Sequence, residues 1–152
     1  MACDRVSQLC AQIVSESLRL SPGIEHLRLV TTRTVRVGAS VGASAGASAR
    51  GGRLLPAGTT LVVSPSSLHR HPRYWPPPCD GAPPRPEFFT RAAQAARPTG
   101  CYLPFSAGAK GCPAARFATH EMRLLLVRVL QRFELRLDSA GAVCLDRRKP
   151  AD

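Results

Sequence analysis

The stretch Phe105-Ser-Ala-Gly108-Ala-Lys110-Gly-Cys112 decides how this chain of 152 residues is interpreted. Its glycines permit a tight reversal of the backbone, and Lys110 places a cation near the end of the loop. Cys112 comes directly before a predicted helix, where unpaired backbone N–H groups and the positive end of the helix dipole stabilise an anion. We therefore expect a thiolate here, and a thiolate is a metal ligand.

An amphipathic helix is predicted over residues 113–132, directly after the cysteine. Proline is tolerated in its first turn, and the apolar side chains recur at helical spacing. They form one stripe, made of Phe117, Ala118, Met122, Leu125, Leu126, Val129 and Leu130. Alternation over residues 133–137 predicts a strand, and the tail after Asp138 is expected to fray.

The N-terminal segment predicts a second amphipathic helix over residues 4–20, capped by Asp4 and ended by the Ser-Pro-Gly sequence at 21–23. Within it, Glu16 and Arg19 are three residues apart, so their side chains share one helix face. Taken alone, such a pair is most often solvated and contributes little to stability.

A small β-sheet is predicted between the two helices. Residues 27–37 and 54–64 are rich in Val, Leu and Thr, and a Pro-Ala-Gly turn at 56–58 directs the second segment back towards the first. The residues between them, 38–53, form a low-complexity insert that we interpret as a surface loop.

Prolines dominate the next part of the chain. Ser64 followed by Pro65 predicts one or two helical turns, which Pro72 would end. From Pro72 to Gly111 the prolines favour an extended chain without regular hydrogen-bonded structure. A loop of that length is uncommon inside a compact domain unless the loop itself is functional.

Composition excludes several classes of protein. The formal charge is 21 − 10 = +11, which favours an anionic partner. The 12 glycines and 14 prolines are too many for a compact helical bundle. No apolar run approaches the roughly 18 to 20 residues of a membrane span, and no secretory signal is predicted. The six cysteines contain no CxxC pair, which argues against a zinc knuckle and a disulfide framework.

Four motifs, in order along the chain, resemble the cytochrome P450 monooxygenase family. The cysteine stretch is similar to the haem-binding loop of that family, and Glu16-Ser-Leu-Arg19 is similar to its E-x-x-R helix. Pro56-Ala-Gly-Thr59 resembles a strand entry, and the segment Leu68-His-Arg-His-Pro-Arg-Tyr-Trp75 resembles the short helix that follows.

This resemblance implies a mainly α fold with a small β-sheet, corresponding to the C-terminal portion of the cytochrome P450 fold. Residues 1–138 would form a partial haem-thiolate monooxygenase domain, and residues 139–152 a tail. The earlier part of the family's fold, which includes the helix over the distal face of the haem, has no counterpart in the motifs. The chain therefore resembles a truncated form, with no catalytic residue of its own assigned.

The resemblance also implies roles for individual residues. Cys112 would be the axial ligand of the haem iron, Phe105 the ring beside the sulfur, and Gly108 the turn under the haem. Ser106 and Ala114 depart from the pattern, because the family prefers glycine at both positions. Three cationic or titratable side chains are candidates for pairing with a haem propionate: Lys110, Arg28 and His69.

One departure concerns the helix motif. In the family an arginine completes the network of Glu16 and Arg19, and Phe88 stands at its position in this chain. A buried ion pair that lacks a partner can lose roughly 3 to 5 kcal/mol. Two nearby arginines are candidates for the missing group: Arg85 and Arg91.

The implied activity is the insertion of one oxygen atom from O₂ into an apolar substrate, such as a sterol or another lipid, with electrons from a reductase. The alternative is a non-catalytic truncated product that does not bind haem stably. Family resemblance also implies an intracellular protein associated with the endoplasmic reticulum.

The positive charge has two interpretations. Basic residues near the cysteine loop could dock an acidic electron donor. These are Arg116 and Arg123, with Arg70 and Arg73 as additions. Binding of nucleic acid is the rival interpretation, and no motif of interleaved aromatic and basic residues supports it. We therefore expect no nucleic-acid partner.

Overall fold

The computed structural model describes residues 2–38, 52–76, 83–139 and 143–147. Its elements are α1 (Ala2–Leu20), β1 (Leu27–Val30), β2 (Val35–Val37), β3 (Arg53–Leu55), β4 (Thr60–Val63), α2 (Pro65–Leu68), α3 (Arg91–Ala95), α4 (Ala115–Arg132), β5 (Phe133–Leu137) and β6 (Val143–Arg147). Turns of 3₁₀ helix occur at Pro86–Phe89 and Gly108–Lys110. The predicted class, mainly α with small β-sheets, is confirmed.

Helix α1 starts earlier than predicted. Because it begins at Ala2, Asp4 lies inside the helix, and the prediction that Asp4 caps it is wrong. The helix ends at Leu20 as expected, and the Ser21 N–H donates to the Ser17 carbonyl at 2.8 Å. Its buried face combines apolar and charged side chains: Cys10, Val14, Glu16 and Arg19.

The predicted sheet forms as two antiparallel strand pairs. Strand β1 pairs with β4 in a register that places Leu27 opposite Val63, and β2 pairs with β3. Gly58, at φ 83°, makes the turn that leads into β4, and its N–H donates to the Thr31 carbonyl at 2.7 Å. Most of the predicted insert over 38–53 lies outside the described residues.

The proline-rich segment contains more regular structure than predicted. The short helix α3 begins at Thr90, whose hydroxyl accepts a hydrogen bond from the Ala93 N–H at 3.3 Å. A side-chain cap and a run of good helix formers outweigh the flanking prolines over these few residues. Helix α2 begins at Pro65 with Ser64 as its cap, as predicted, but ends at Leu68, earlier than expected.

The C-terminal hairpin corrects a second expectation. Strand β5 is followed by β6, in a register that pairs Phe133 with Arg147 and Leu137 with Val143. The prediction that the whole tail frays is therefore wrong for residues 143–147. These residues begin with Val143, Cys144 and Leu145, and β5 offers them a free edge for backbone pairing.

Helix α4 packs against α1 but has no buried residue among those described. Phe117 is 71% exposed, and Leu124 and Leu125 are exposed by 65% and 63%. Two clefts between the helices, of about 420 and 400 Å³, are lined by apolar residues of both. The predicted apolar stripe is therefore only partly covered. In the part of the chain that is described, no helix is long and apolar enough to cross a membrane.

Candidate functional site

Glu16 and Arg19 form a buried ion pair with two hydrogen bonds. Arg19 Nε lies 2.7 Å from Glu16 Oε2, and Nη2 lies 2.8 Å from Oε1. Their residues are only 1% and 2% exposed, so the solvated pair that the spacing alone would favour is excluded. The geometry is bidentate, which is the strong form of an arginine–carboxylate contact.

Further hydrogen bonds complete this pair. The backbone N–H of Arg85 donates to Glu16 Oε1 at 2.7 Å, and Arg19 Nη1 donates to the His69 carbonyl at 2.8 Å. The pair thus links α1 to the segments that follow α2 and precede α3. Because both charged groups are buried, removal of either partner would leave the other buried and unpaired.

The ion pair lies against a cluster of aromatic rings, which we call the Trp75 cluster: Trp75, Phe88, Phe89, Tyr74 and Tyr102. The imidazole of His69 packs edge-on against Trp75, with ring centroids 6.5 Å apart, and we include it in the cluster. Trp75 is fully buried, and its Nε1–H donates to the Leu68 carbonyl at 3.1 Å. The guanidinium of Arg19 lies 5.1 Å from its ring centroid, within range of a cation–π contact. The cluster was not predicted from the sequence. The signal that could have indicated it is the presence of five aromatic residues within about thirty positions.

His69 lies inside the cluster rather than on a surface. It is fully buried, and its Nε2 accepts a hydrogen bond from the Leu103 N–H at 2.8 Å. The acceptor nitrogen carries no proton, so in the neutral ring the proton is on Nδ1, which has no hydrogen-bond partner among the described residues. Burial lowers the pKa of His69 from its usual 6.5. The suggestion that His69 pairs with a haem propionate is therefore withdrawn.

Tyr102 makes a second connection between α1 and the segment before the cysteine loop. Its hydroxyl donates to the Ser15 carbonyl at 2.8 Å, and burial raises the pKa of Tyr102 well above its usual range. Together with the bond from Leu103 to His69, this contact fixes the backbone at 102–103. The cysteine loop starts directly after these two anchors.

The cysteine loop is closed by backbone hydrogen bonds. The Cys112 N–H donates to the Phe105 carbonyl at 2.9 Å, and the Gly111 N–H donates to the Gly108 carbonyl at 3.0 Å. Gly108 has φ 66°, the left-handed region that glycine enters without steric cost. Ser106 has φ 63°, which explains why glycine would be preferred at its position.

The thiol of Cys112 is accessible from solvent at the approach to α4. The helix begins three residues later, and the side chain of Ala114 makes no capping hydrogen bond. An accessible sulfur in a closed, glycine-containing loop fits one side of a haem, whose iron accepts cysteine thiolate as a ligand. Lys110 is exposed on the same loop, and Phe105 is half-buried.

The structure brings four of the predicted residues together and separates two. Phe105, Gly108, Lys110 and Cys112 share the cysteine loop. Arg28 is exposed on β1, and His69 belongs to the Trp75 cluster.

Comparison with known proteins identifies the class. A sequence model described as cytochrome P450 matches residues 8–150, so the chain belongs to the cytochrome P450 family. The cofactor of this family is haem, bound through a cysteine thiolate.

Individual relatives agree with this class. The chain is 35% identical over 121 residues to "Cytochrome P450 3A13" of Mus musculus, covering 80% of this chain and 21% of that protein. It is 33% identical over 122 residues to "Thromboxane-A synthase" of Sus scrofa, covering 78% and 22%. The chain thus spans about one fifth of the length of the curated relatives it matches.

A solved structure agrees in fold. The haem domain of a cytochrome P450DA mutant superposes with a TM-score of 0.72 and 22% identity, covering 93% of this chain and 32% of that one. At that identity the likeness concerns the fold alone. The described chain therefore has the fold of one portion of a haem domain.

Proposed function

We propose that this chain supplies the thiolate side of the haem site in a cytochrome P450 monooxygenase. The observation that carries the proposal is the accessible sulfur of Cys112, at the end of a loop closed by the hydrogen bond from its own N–H to Phe105. A haem bound there would supply the oxygen and electron-transfer chemistry. The parent reaction would be insertion of one oxygen atom from O₂ into an apolar substrate, with electrons from a reductase.

The residues of the chain would bind and position the cofactor. Cys112 would hold the iron, the half-buried ring of Phe105 would keep water from the sulfur, and Gly108 would let the backbone turn close to the porphyrin. Lys110, exposed on the same loop, is our first choice for pairing with a propionate, with Arg28 on β1 as the second.

A non-catalytic product is the second candidate, and one observation favours it. The apolar face of α4 is only partly covered, with Phe117 and Leu125 more than half exposed. A haem needs protein on both faces to stay dry, and this chain covers only 32% of the solved haem domain on which it superposes. Stable haem binding by the chain alone would then fail although the cysteine loop is intact.

Substrate, partner and location follow the same proposal. We infer an apolar, lipid-like substrate and an intracellular site of action at the endoplasmic reticulum. The acidic donor would dock at the basic side chains that flank the loop, chiefly Arg116, which is exposed. Arg70 is less available for docking, because it donates hydrogen bonds to Leu20 and Ser66 within the chain.

The test is a reduced carbon monoxide difference spectrum of the purified chain after addition of haem. A thiolate-type Soret band in the wild type, lost in Cys112→Ala and kept in Cys144→Ala, supports the proposal. Cys144 is the matched control because it is a second exposed thiol, on β6. Absence of haem uptake by all three chains supports the non-catalytic candidate. An equal loss of the band in both variants contradicts Cys112 as the ligand.

A further inference from the structure

The buried Glu16–Arg19 pair lacks the second arginine that the family resemblance implies. The family resemblance places an arginine at position 88, where this chain has Phe88, a residue only 8% exposed. Among the described contacts, neither arginine suggested by the sequence reaches Glu16 with its side chain. The guanidinium of Arg85 lies over the Phe88 ring, 4.4 Å from its centroid. Arg85 reaches Glu16 through its backbone N–H, while its own Nε pairs with Glu87 at 2.9 Å. Arg91 is exposed on α3.

A different arginine, Arg97, lies over the central ring of the cluster, Trp75. The guanidinium of Arg97 lies 4.0 Å from the centroid of the Trp75 ring and 5.5 Å from that of Phe89. This is the shortest cation–ring distance among the described residues. The same guanidinium donates a hydrogen bond to the backbone carbonyl of Phe88. Arg97 therefore binds the backbone of the very residue that replaces the family's arginine.

Arg97 is half-buried, so its guanidinium is partly removed from water. Burial lowers its pKa from the usual value, and among the smaller influences the carboxylate of Glu16 opposes this shift while Arg19 adds to it. The guanidinium groups of Arg97 and Arg19 both lie over the Trp75 ring, 4.0 and 5.1 Å from its centroid. Arg97 thus shares one aromatic ring with the cation that binds Glu16, and one carboxylate with two cations is the charge set that the pair and a family-type arginine would also give.

We propose that Arg97 is the positioning residue that replaces the arginine missing at position 88. Its guanidinium supplies the second cation of the Glu16–Arg19 network. Position 88 lies in the 3₁₀ turn before α3, whereas Arg97 lies just after α3. In doing so it ties the segment that precedes Tyr102 and Leu103, the two anchors of the cysteine loop, to the aromatic cluster. The proposal concerns the fold of this chain and holds whether or not haem binds.

Charge complementation tests this replacement. Arg97→Gln is expected to lower the folded-to-unfolded ratio about tenfold, as loss of a desolvated cation–π contact does. Phe88→Arg alone adds a further cation beside Arg19, Arg85 and Arg97, which already lie over rings of the cluster, and is expected to be destabilising. In the Arg97→Gln background the same Phe88→Arg change restores the missing charge, so its effect on the urea midpoint should become much smaller or reverse.

A matched control is available on α3. Arg91→Gln makes the same chemical change six residues earlier at an exposed position, and it should leave the midpoint and its response to Phe88→Arg unaltered. Arg97→Lys keeps the charge without the flat guanidinium, and should fall between the wild type and Arg97→Gln. Additive effects of Phe88→Arg and Arg97→Gln would overturn the proposal, because they would show that the two positions do not share one role.

A second readout separates this contact from general packing. Trp75 is the one tryptophan of the sequence, so emission excited selectively from tryptophan reports on its ring in the folded protein. Arg97→Gln should shift the folded-state emission, and Arg91→Gln should not. If Arg97→Gln lowers the midpoint and leaves the folded-state emission unchanged, the guanidinium does not act on Trp75, and the proposal fails.

Discussion

The Trp75 cluster and helix α4 differ in how completely their side chains are buried. In the cluster, an ion pair, a histidine and several rings are almost fully buried, and nearly every polar atom has a partner. On α4 the apolar stripe is only partly covered, and Phe117 and Leu125 remain exposed. The difference teaches that distant segments of this one chain can complete a polar network, whereas the exposed part of an amphipathic helix face needs a further layer of protein to bury it.

The largest loss of stability is expected when the cation of the buried ion pair is removed. Arg19→Met keeps the approximate length of the side chain but leaves the Glu16 carboxylate buried without its partner, which is expected to cost roughly 3 to 5 kcal/mol of unfolding free energy. Urea denaturation followed by Trp75 emission measures it. As a control, Arg136→Met removes a cation from an exposed pair on β5 and should change little. Similar midpoints for the two variants would contradict a buried, energetically important pair.

The next prediction compares the loss of stability when the same phenylalanine-to-alanine change is made in each region. Phe89→Ala in the cluster is expected to cost about 3 kcal/mol, since the ring is buried but borders a cleft. Phe117→Ala on α4 removes an equal ring that is 71% exposed, and should change stability by no more than about 0.5 kcal/mol. Thermal unfolding of both variants measures the contrast. A large loss in Phe117→Ala would mean that the stripe of α4 is covered in solution.

A smaller effect concerns the loop between the two regions. Ser106→Gly relieves a left-handed backbone conformation and is expected to gain about 0.5 to 1 kcal/mol. Gly108→Ala is the reverse change, and an added Cβ there would meet no atom within 4 Å, so its expected cost of about 1 kcal/mol is purely conformational. Chemical denaturation of both variants checks the opposite signs. Equal signs would show that the turn has another geometry in solution.

The last effect depends on pH and tests the histidine of the cluster. Because burial lowers the pKa of His69, the unfolded chain binds a proton below its usual 6.5 while the folded chain stays neutral. The stability from this neutral ring is present above pH 6.5 and is lost as the pH falls through the lowered folded value. His69→Gln keeps an acceptor for the Leu103 N–H without titrating. The difference in unfolding free energy between wild type and variant should therefore become smaller as the pH falls from about 7.5 to about 5.5.

Part of the site could be predicted because its signals are local. The loop from Phe105 to Cys112 contains its own turn residues and is closed by its own backbone hydrogen bonds, so its sequence pattern was sufficient. The pairing of Glu16 with Arg19 likewise follows from their spacing on one helix. The role of His69 could not be predicted, because its hydrogen-bond partner is 34 residues away in sequence.

The sequence by itself determined the family, the two long helices, the antiparallel strands and the position of the thiol, because each depends on neighbouring residues or on a short motif. Only the tertiary structure decided that the ion pair is buried, that His69 is an internal acceptor, and that Arg97 rather than Arg85 or Arg91 lies over Trp75. Those facts depend on which distant segments exclude water from the same side chains. Burial and partner choice are properties of the assembled chain, and no local pattern encodes them.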